Sequence, residues 1–354
     1  MNTQLTIHIV NELPWSNLNR DDTGMPKRLN QGGKQRGMLS SQSIKRGARV
    51  DYENKSLDFS VRSTNLGELV SARALEINPA LDEKEAQKLA NKLIGTLTKN
   101  EAKSAASEGK ESGRSAWLSS EEIEAAANAV AQQLDEANFV GVGSSGSLAI
   151  AGFGRMFAAR PELQTEAAIA VSPAVSTHET VIETDYFSTV DDSPTKDQGK
   201  GAAYLGIANY INGVFYRSIT IDKAQLRRSW TGYGQPDARE KLEQFVTSLI
   251  YGMPRGKEKS TAPYTLPALV LAETQAYRVA YDFETPVIPE REGGFLAATL
   301  RRLKEQREAA LRFDPDNFGQ PMAVAGTAPD LAQFGVDVVN RSEFAGLVAD
   351  WILQ

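Results

Sequence analysis

Between Arg20 and Arg49 the sequence sets eight basic residues against two acids. The bases are Arg20, Lys27, Arg28, Lys34, Arg36, Lys45, Arg46 and Arg49; the acids are Asp21 and Asp22. The local balance is +6 in a chain whose total is −6. Residues 1–50 add only Glu12 and hold +5, which leaves −11 for the other 304. A cationic segment on an anionic body has a directed electrostatic footprint, for which a polyanion is the natural partner. Ser40, Ser41, Gln42 and Ser43 stand just before Lys45. Such hydroxyls and amides fix register on a phosphate chain while the cations supply attraction. Lys45 and Arg49 are four apart, so a helix here would carry them on one face. A solvated charged loop is the competing reading.

Other groups offer less chemistry. Gly141-Val142-Gly143-Ser144-Ser145-Gly146 fits the G-x-G-x-x-G pattern after a possible strand at 138–142. That pattern can seat a pyrophosphate at a helix N-terminus. Here it follows a helical stretch, and no strand ending in an acid appears about 20 residues on, so a flexible turn competes. Of the two histidines, His8 falls mid-strand, where a structural role is the commoner one. His178 stands among polar strand-end residues without an evident nucleophile to activate. Asp21 and Asp22 are the best metal-binding pair, yet adjacent acids after an arginine also form turns or ion pairs. Metal-dependent ribonuclease chemistry needs more carboxylates than can be placed beside them. With no cysteine, disulfides, thiolate nucleophiles and Cys-based metal sites are excluded. The turn Pro254-Arg255-Gly256-Lys257-Glu258-Lys259-Ser260 is a second basic segment, equally readable as a nucleic-acid contact or a solvated hairpin. A non-enzyme without cofactor is the expectation.

The elements that must position these groups read as follows. Leu5–Val10 alternates and predicts a half-buried strand; residues 16–40 read as a long loop. Ser41 or Ser43 is placed to cap a helix over about 42–50. Residues 81–98 predict a helix through Leu81, Leu89, Leu93 and Leu97, followed by a polar linker at 98–116. Ser119 and Glu122 make a capping-box pattern ahead of Ile123, Ala127, Val130 and Leu134. Short strands are expected at 168–175 and 180–182, an extended arm at 184–213, and a strong strand at 213–221 with Asp222 capping a short helix. Helices follow at 237–251, 293–312 and 342–353, with a strand at 266–271. The order predicts an α+β core with a helical insertion at 60–169. The first strand carries no aromatic, so a strand of RNA would have no stacking platform on the sheet and would run along loops and the core's edge. By itself Met156 reads as core filling. Phe187, an aromatic in a polar arm, suits docking on a partner.

The length and the share of apolar (41%) and charged (24%) residues are those of a folded chain of one large or two ordinary domains. No apolar run approaches a membrane span, and Leu5–Val10 is too short for a signal, so a cytoplasmic protein is expected. A pI near 5.3 argues that nucleic acid would be met in a defined groove rather than coated indiscriminately.

The pieces Ile7-His8-Ile9, Asn19-Arg20-Asp21-Asp22, Gly32-Gly33-Lys34 and Ser40-Ser41-Gln42-Ser43-Ile44-Lys45-Arg46, in this order, resemble the start of the CasC family. That family is the repeated backbone subunit of the type I-E Cascade complex in CRISPR immunity. The resemblance covers residues 5–50, 149–156, 168–192, 199–226 and 250–272, and is strongest in the first 50. It implies a modified ferredoxin-like (RRM-type) palm at 1–59, 170–183 and 214–354, a helical finger module at 60–169 and a β-hairpin-like thumb at 184–213. It also implies a non-catalytic scaffold whose copies stack head to tail along CRISPR RNA. The guide's bases then pair with target DNA, and other Cascade subunits join. Position by position, it assigns RNA contacts to Asn19, Arg20, Lys27, Ser40, Gln42, Ser43, Lys45, Arg46 and Arg49. Gly154-Arg155-Met156 matches a motif whose methionine packs on a guide base. Asp185–Asp192 matches the start of the thumb, with Phe187 and Val190 near a kinked nucleotide and Leu205 on the return limb. The sequence departs at Gly47, where the family usually has alanine or similar. The rival functions are a metal-dependent ribonuclease on Asp21 and Asp22, and a nucleotide-cofactor enzyme on Gly141–Gly146.

Overall fold

A computed structural model of the chain describes residues 3–98, 115–134, 136–189 and 204–354. The expected linker lies outside the described residues except at its ends, as does Val190. The first elements are β1 (Gln4–Ser16), β2 (Arg28–Gln31), β3 (Lys34–Leu39), α1 (Ser41–Ser56) and β4 (Ser60–Ser63). Then come α2 (Leu66–Ile77), α3 (Glu83–Thr98), β5 (Ala116–Ser119), α4 (Ser120–Ala131) and α5 (Leu148–Phe153). The middle holds β6 (Ile169–Val171), β7 (Ala174–Ser176), β8 (Glu183–Thr189), β9 (Tyr204–Asp222), α6 (Lys223–Ser229) and α7 (Ala238–Tyr251). The last are α8 (Glu258–Thr261), β10 (Leu269–Gln275), α9 (Leu296–Phe313), β11 (Phe318–Ala325) and α10 (Arg341–Leu353). The fold is mixed α+β with a large antiparallel sheet. Among the described residues no helix is long and apolar enough to cross a membrane.

The chain divides into two compact units. The first comprises Met1–Ala48, Val171–Ile219 and Leu249–Phe344 and contains the sheet, in the order β11-β10-β1-β9-β7-β3-β2. β1 lies between β10 and β9, and His8 pairs with Leu271. This strand is buried on both faces rather than half-buried. Its alternating polar residues are not turned to water. Thr6 Oγ1 donates to Gln275 Oε1 at 2.7 Å, and His8 Nδ1 lies 2.9 Å from the Tyr216 hydroxyl. Burial of Thr6 and His8 is tolerated because each has an internal partner.

The expected loop at 16–40 contains a hairpin, β2–β3, closed by Gly32 and Gly33 at φ +61° and +71°. A two-residue turn with both centres left-handed suits the twist of its strands and is cheap only for glycine. Residues 180–182 are not a strand; β8 starts at Glu183. β10 starts at Leu269, two residues after Pro267, which has no N–H to offer a ladder. β11 went unread because Pro321 interrupts it; it sits at the sheet's end, with register shifts near Glu273, where a missing N–H is tolerated. Two apolar clusters back the sheet. One gathers Val10, Val214, Leu269, Leu271, Leu303 and Val324; the other gathers Leu13, Leu18, Leu39, Ile44, Ile211 and Phe215.

The second unit comprises Arg49–Ala170, Thr220–Ser248 and Ala345–Gln354. α2, α3 and α4 close around Leu66, Val70, Leu93, Ile123 and Val130. The capping box forms as read: Ser119 Oγ accepts from the Glu122 amide at 3.2 Å, and Glu122 Oε2 accepts from the Ser119 amide at 2.9 Å. Glu122 is also held by both terminal nitrogens of the buried Arg155. Asp222 caps α6, its Oδ1 accepting from the Gln225 amide at 3.0 Å.

Candidate nucleic-acid interface

α1 begins one residue after Ser40, whose Oγ accepts from the Ser43 amide at 3.4 Å. Ser40 is therefore the cap, not Ser41 or Ser43. Asn19 reaches the same turn: its Oδ1 accepts from the Ser40 amide at 2.8 Å. Ser43 Oγ lies within reach of Ser40 O (2.8 Å) and Asn19 Oδ1 (3.2 Å), and its one proton serves one of them at a time. Asn19, Ser40 and Ser43 thus knit the loop to the helix start. Ile44 anchors the helix in the apolar cluster with Leu13, Leu18 and Phe215. Burial of Ile44 fixes where its neighbours project. Gln42 and Arg46 are exposed, and Lys45 is half-buried, burial drawing its ammonium pKa down. Lys27 joins through its backbone, its amide donating to Asn19 O at 2.8 Å. Arg20 is exposed beside it.

A third segment completes this junction. A Cβ on Gly47 would stand 2.3 Å from the Met253 carbonyl oxygen, so the helix and the chain after α7 cross at backbone contact. The Gly256 amide then donates to Leu18 O at 2.9 Å, and a Cβ there would stand 2.5 Å from the same oxygen. Glycine at 47 is what the crossing requires. The three segments 17–20, 40–47 and 252–257 therefore meet in one place, all within the sheet-bearing unit.

Not every base in the cationic stretch serves a surface. Arg36 is fully buried and donates to Ser176 O (2.8 Å), Phe283 O (2.9 Å) and Glu284 O (3.1 Å). Lys34 pairs with Glu179 at 3.0 Å. Asp21 is a turn-former: its Oδ1 accepts from Thr23 Oγ1 (2.7 Å) and the amides of Thr23 (2.9 Å) and Met25 (3.0 Å). The Thr23 hydroxyl leads in holding its carboxyl below the usual range. Among the described residues no group of three or more His, Asp or Glu is placed to hold a metal ion.

The hairpin β8–β9 carries Phe187 and Leu205. Phe187 pairs with Gly206 and lays its ring over that glycine, where a Cβ would stand 2.3 Å away. The opposite face presents Tyr186, Ile207 and Leu205, all exposed, Leu205 to 76%. Of these three the family resemblance had named only Leu205, on the return limb; the period-two spacing of Leu205 and Ile207 was the available signal for the others.

Arg49 and Met156 belong to the helical unit. Arg49 is 17% exposed, its Nε 3.9 Å from Glu53 Oε2 and its guanidinium over the Trp117 ring at 5.2 Å. It does not share the open setting of Arg46. Met156 is 77% exposed, so it is not core filling. The Gly141–Gly146 run is loop. The Ser145 amide is spent on Ser229 O at 2.9 Å, and a Cβ on Gly146 would stand 2.0 Å from a Glu121 carboxylate oxygen. The following helix is only six residues, its start occupied by Ser147 Oγ and by Asp58 Oδ2, which accepts from the Leu148 amide at 3.1 Å. An anion in place of open amides repels phosphate, so the dinucleotide fingerprint is not built. His178 is structural too: its Nε2 accepts from the Val214 amide at 3.1 Å, and its Nδ1 donates to Glu179 O at 2.7 Å. Burial holds its pKa down.

Comparison with known proteins gives a family model described as CT1975-like protein, matching residues 5–335. Among solved structures, the chain is similar to one from a "CRISPR RNA-guided surveillance complex, pre-nicking", with TM-score 0.79 and 23% identity over 99% of this chain and 100% of that one. A second, from a "CRISPR RNA-guided surveillance complex", gives TM-score 0.63 and 21% identity over 98% and 99% of the two chains. At these identities the likeness speaks for the fold. No curated protein matches.

Proposed function

The chain belongs to the CT1975-like family, the CasC type of Cascade backbone subunit, and from that premise we propose that it is a non-catalytic scaffold binding CRISPR RNA. The observation that carries this reading is the junction of Asn19, Ser40, Ser43, Gly47 and Gly256. It fixes the backbone of the segments that carry Arg20, Lys27, Lys45 and Arg46. Rigidly held cations paired with short polar groups grip a backbone and leave base edges unread. On this reading Lys27, Lys45 and Arg46 clamp phosphates, with Arg20 and Gln42 beside them. Asn19, Ser40 and Ser43 hold the turn and supply the polar rim. Arg49, Met156, Phe187, Val190 and Leu205 contribute from the rest of the chain.

The finer reading is a type I-E subunit with a modified ferredoxin-like palm, a helical finger and a thumb built on the β8–β9 hairpin. Copies stack head to tail in the cytoplasm, an arrangement that grows along the RNA because heterologous contacts do not close. Target DNA is met through the guide, so sequence is read by base pairing. Other Cascade subunits complete the particle.

The test is co-expression of the full chain with its companion subunits, followed by extraction of what co-purifies. RNA of one discrete length at fixed stoichiometry is expected. Nucleic-acid-free protein that stays indifferent to added oligoribonucleotides would overturn the reading.

A further inference from the structure

We infer that the segment Pro254–Ser260, a turn running into α8, is a second wall of the same interface and contacts the phosphodiester backbone of single-stranded RNA through Arg255 and Lys259. This rests on the RNA-binding reading above and adds a segment to it.

The loop's position is imposed rather than free. At its start, the fully buried Arg217 donates to Ile250 O at 2.6 Å and to Met253 Sδ at 2.7 Å. Met253 in turn crosses Gly47, one residue after Arg46. At its centre Gly256 is bonded to Leu18, two residues before Arg20. Lys257 and Ala262 both hold left-handed backbone, at φ +50° and +44°, a conformation that costs a non-glycine residue energy and persists only where the surroundings impose it. A merely solvated hairpin has no need of these constraints.

The charges divide within the loop. Lys257 is turned inward, its Nζ 5.2 Å from the centre of the Tyr210 ring, which itself packs at a tilt against Trp15 with centroids 3.8 Å apart. Arg255 is exposed and Lys259 is 88% exposed on its side chain. The one acid, Glu258, is shared loosely between them, at 4.0 Å from Arg255 and 3.8 Å from Lys259. Three bases against one acid leave the loop at +2. A guanidinium matches two phosphate oxygens at once, and an ammonium acts as a point charge. The loop therefore continues the cationic base of Arg20, Lys45 and Arg46 instead of opposing it.

The experiment uses the full chain assembled with its companion subunits and a labelled single-stranded RNA, with affinity measured against salt. Each phosphate neutralised on a single strand contributes roughly 0.7 to the slope of log affinity against log salt. The double variant Arg255→Ala/Lys259→Ala is expected to lower the slope by about 1.4 per copy with its thermal midpoint unchanged. Glu258→Gln is expected to raise affinity at low salt by about twofold, the scale of one exposed charge. Lys45→Ala/Arg46→Ala is run in parallel. If that pair lowers the slope while Arg255→Ala/Lys259→Ala leaves it as it was, the loop is not a contact and the inference falls alone. If neither pair moves the slope, the RNA-binding reading falls with it.

Discussion

Gly47 and Met253 touch backbone to backbone, with no room for a side chain between them. Glycine inside a helix ordinarily costs about 1 kcal/mol relative to alanine, so Gly47→Ala would be stabilising if helix propensity decided the outcome. Here the obstructing atoms are a carbonyl oxygen at 2.3 Å and its carbon at 2.8 Å, and backbone cannot rotate aside. Overpacking of this kind costs about 1–3 kcal/mol, so a net loss is expected in urea denaturation, together with weaker RNA binding as the loop is displaced. A gain in stability would mean that the crossing is loose.

Positioning and contact should separate cleanly at the helix start. Asn19→Ala removes the acceptor of the part-buried Ser40 amide, at a cost of about 1 kcal/mol. Arg46 is exposed, so Arg46→Ala should leave the denaturation midpoint in place and lower the salt slope of RNA binding by roughly 0.7 per copy. A stability loss from Arg46→Ala, with the slope unmoved, would assign it to the fold.

The Phe187 ring covers Gly206 and is partly exposed, so it contributes little to the core. Phe187→Ala is expected to keep the midpoint within about 1 kcal/mol of the parent while loosening assembly on RNA, read as a loss of the largest species in sedimentation. Unfolding of the variant would instead make Phe187 a core residue.

Glu273 supplies a pH dependence of definite sign. Burial pushes its carboxyl upward, but His8 at 3.3 Å and the Arg307 guanidinium outweigh this and hold its pKa at about 2. The unfolded chain, with a carboxyl near 4.5, binds the proton first as pH falls. The stabilisation is therefore complete above about pH 5 and is lost between there and pH 2, amounting to about 3 kcal/mol. Denaturation midpoints measured from pH 7 to pH 3 should fall, and Glu273→Gln should flatten that fall. An equally steep fall in the variant would place the acid-labile group elsewhere.

Local signals were legible and long-range ones were not. The capping box of Ser119 and Glu122, the cap at Asp222 and the amphipathic run of α7 each depend on residues a few positions apart, and each forms as read. The charge of the 20–49 stretch was legible as a sum but not in its distribution. Nothing nearby marks Arg36 as buried among the carbonyls of Ser176, Phe283 and Glu284, since those partners lie far along the chain. Gly47 stood out only as a departure from the family's usual alanine for the same reason: its partner is remote. Taken by itself Met156 read as core, because an isolated methionine usually is, while the family resemblance gave it a guide contact; the fold leaves it exposed. Gly32 and Gly33 were a readable turn that charge composition obscured.

β1 is flanked in the finished sheet by two strands that come much later in the sequence. Its partners are β9, which begins at Tyr204, and β10, which ends at Gln275. During synthesis an apolar ribbon must therefore wait, unpaired on both edges, until most of the polypeptide has left the ribosome. Such delayed closure slows folding and exposes a sticky edge to neighbouring nascent chains. Yield in the cell should accordingly depend on chaperone supply and growth temperature more than on the stability of the finished protein.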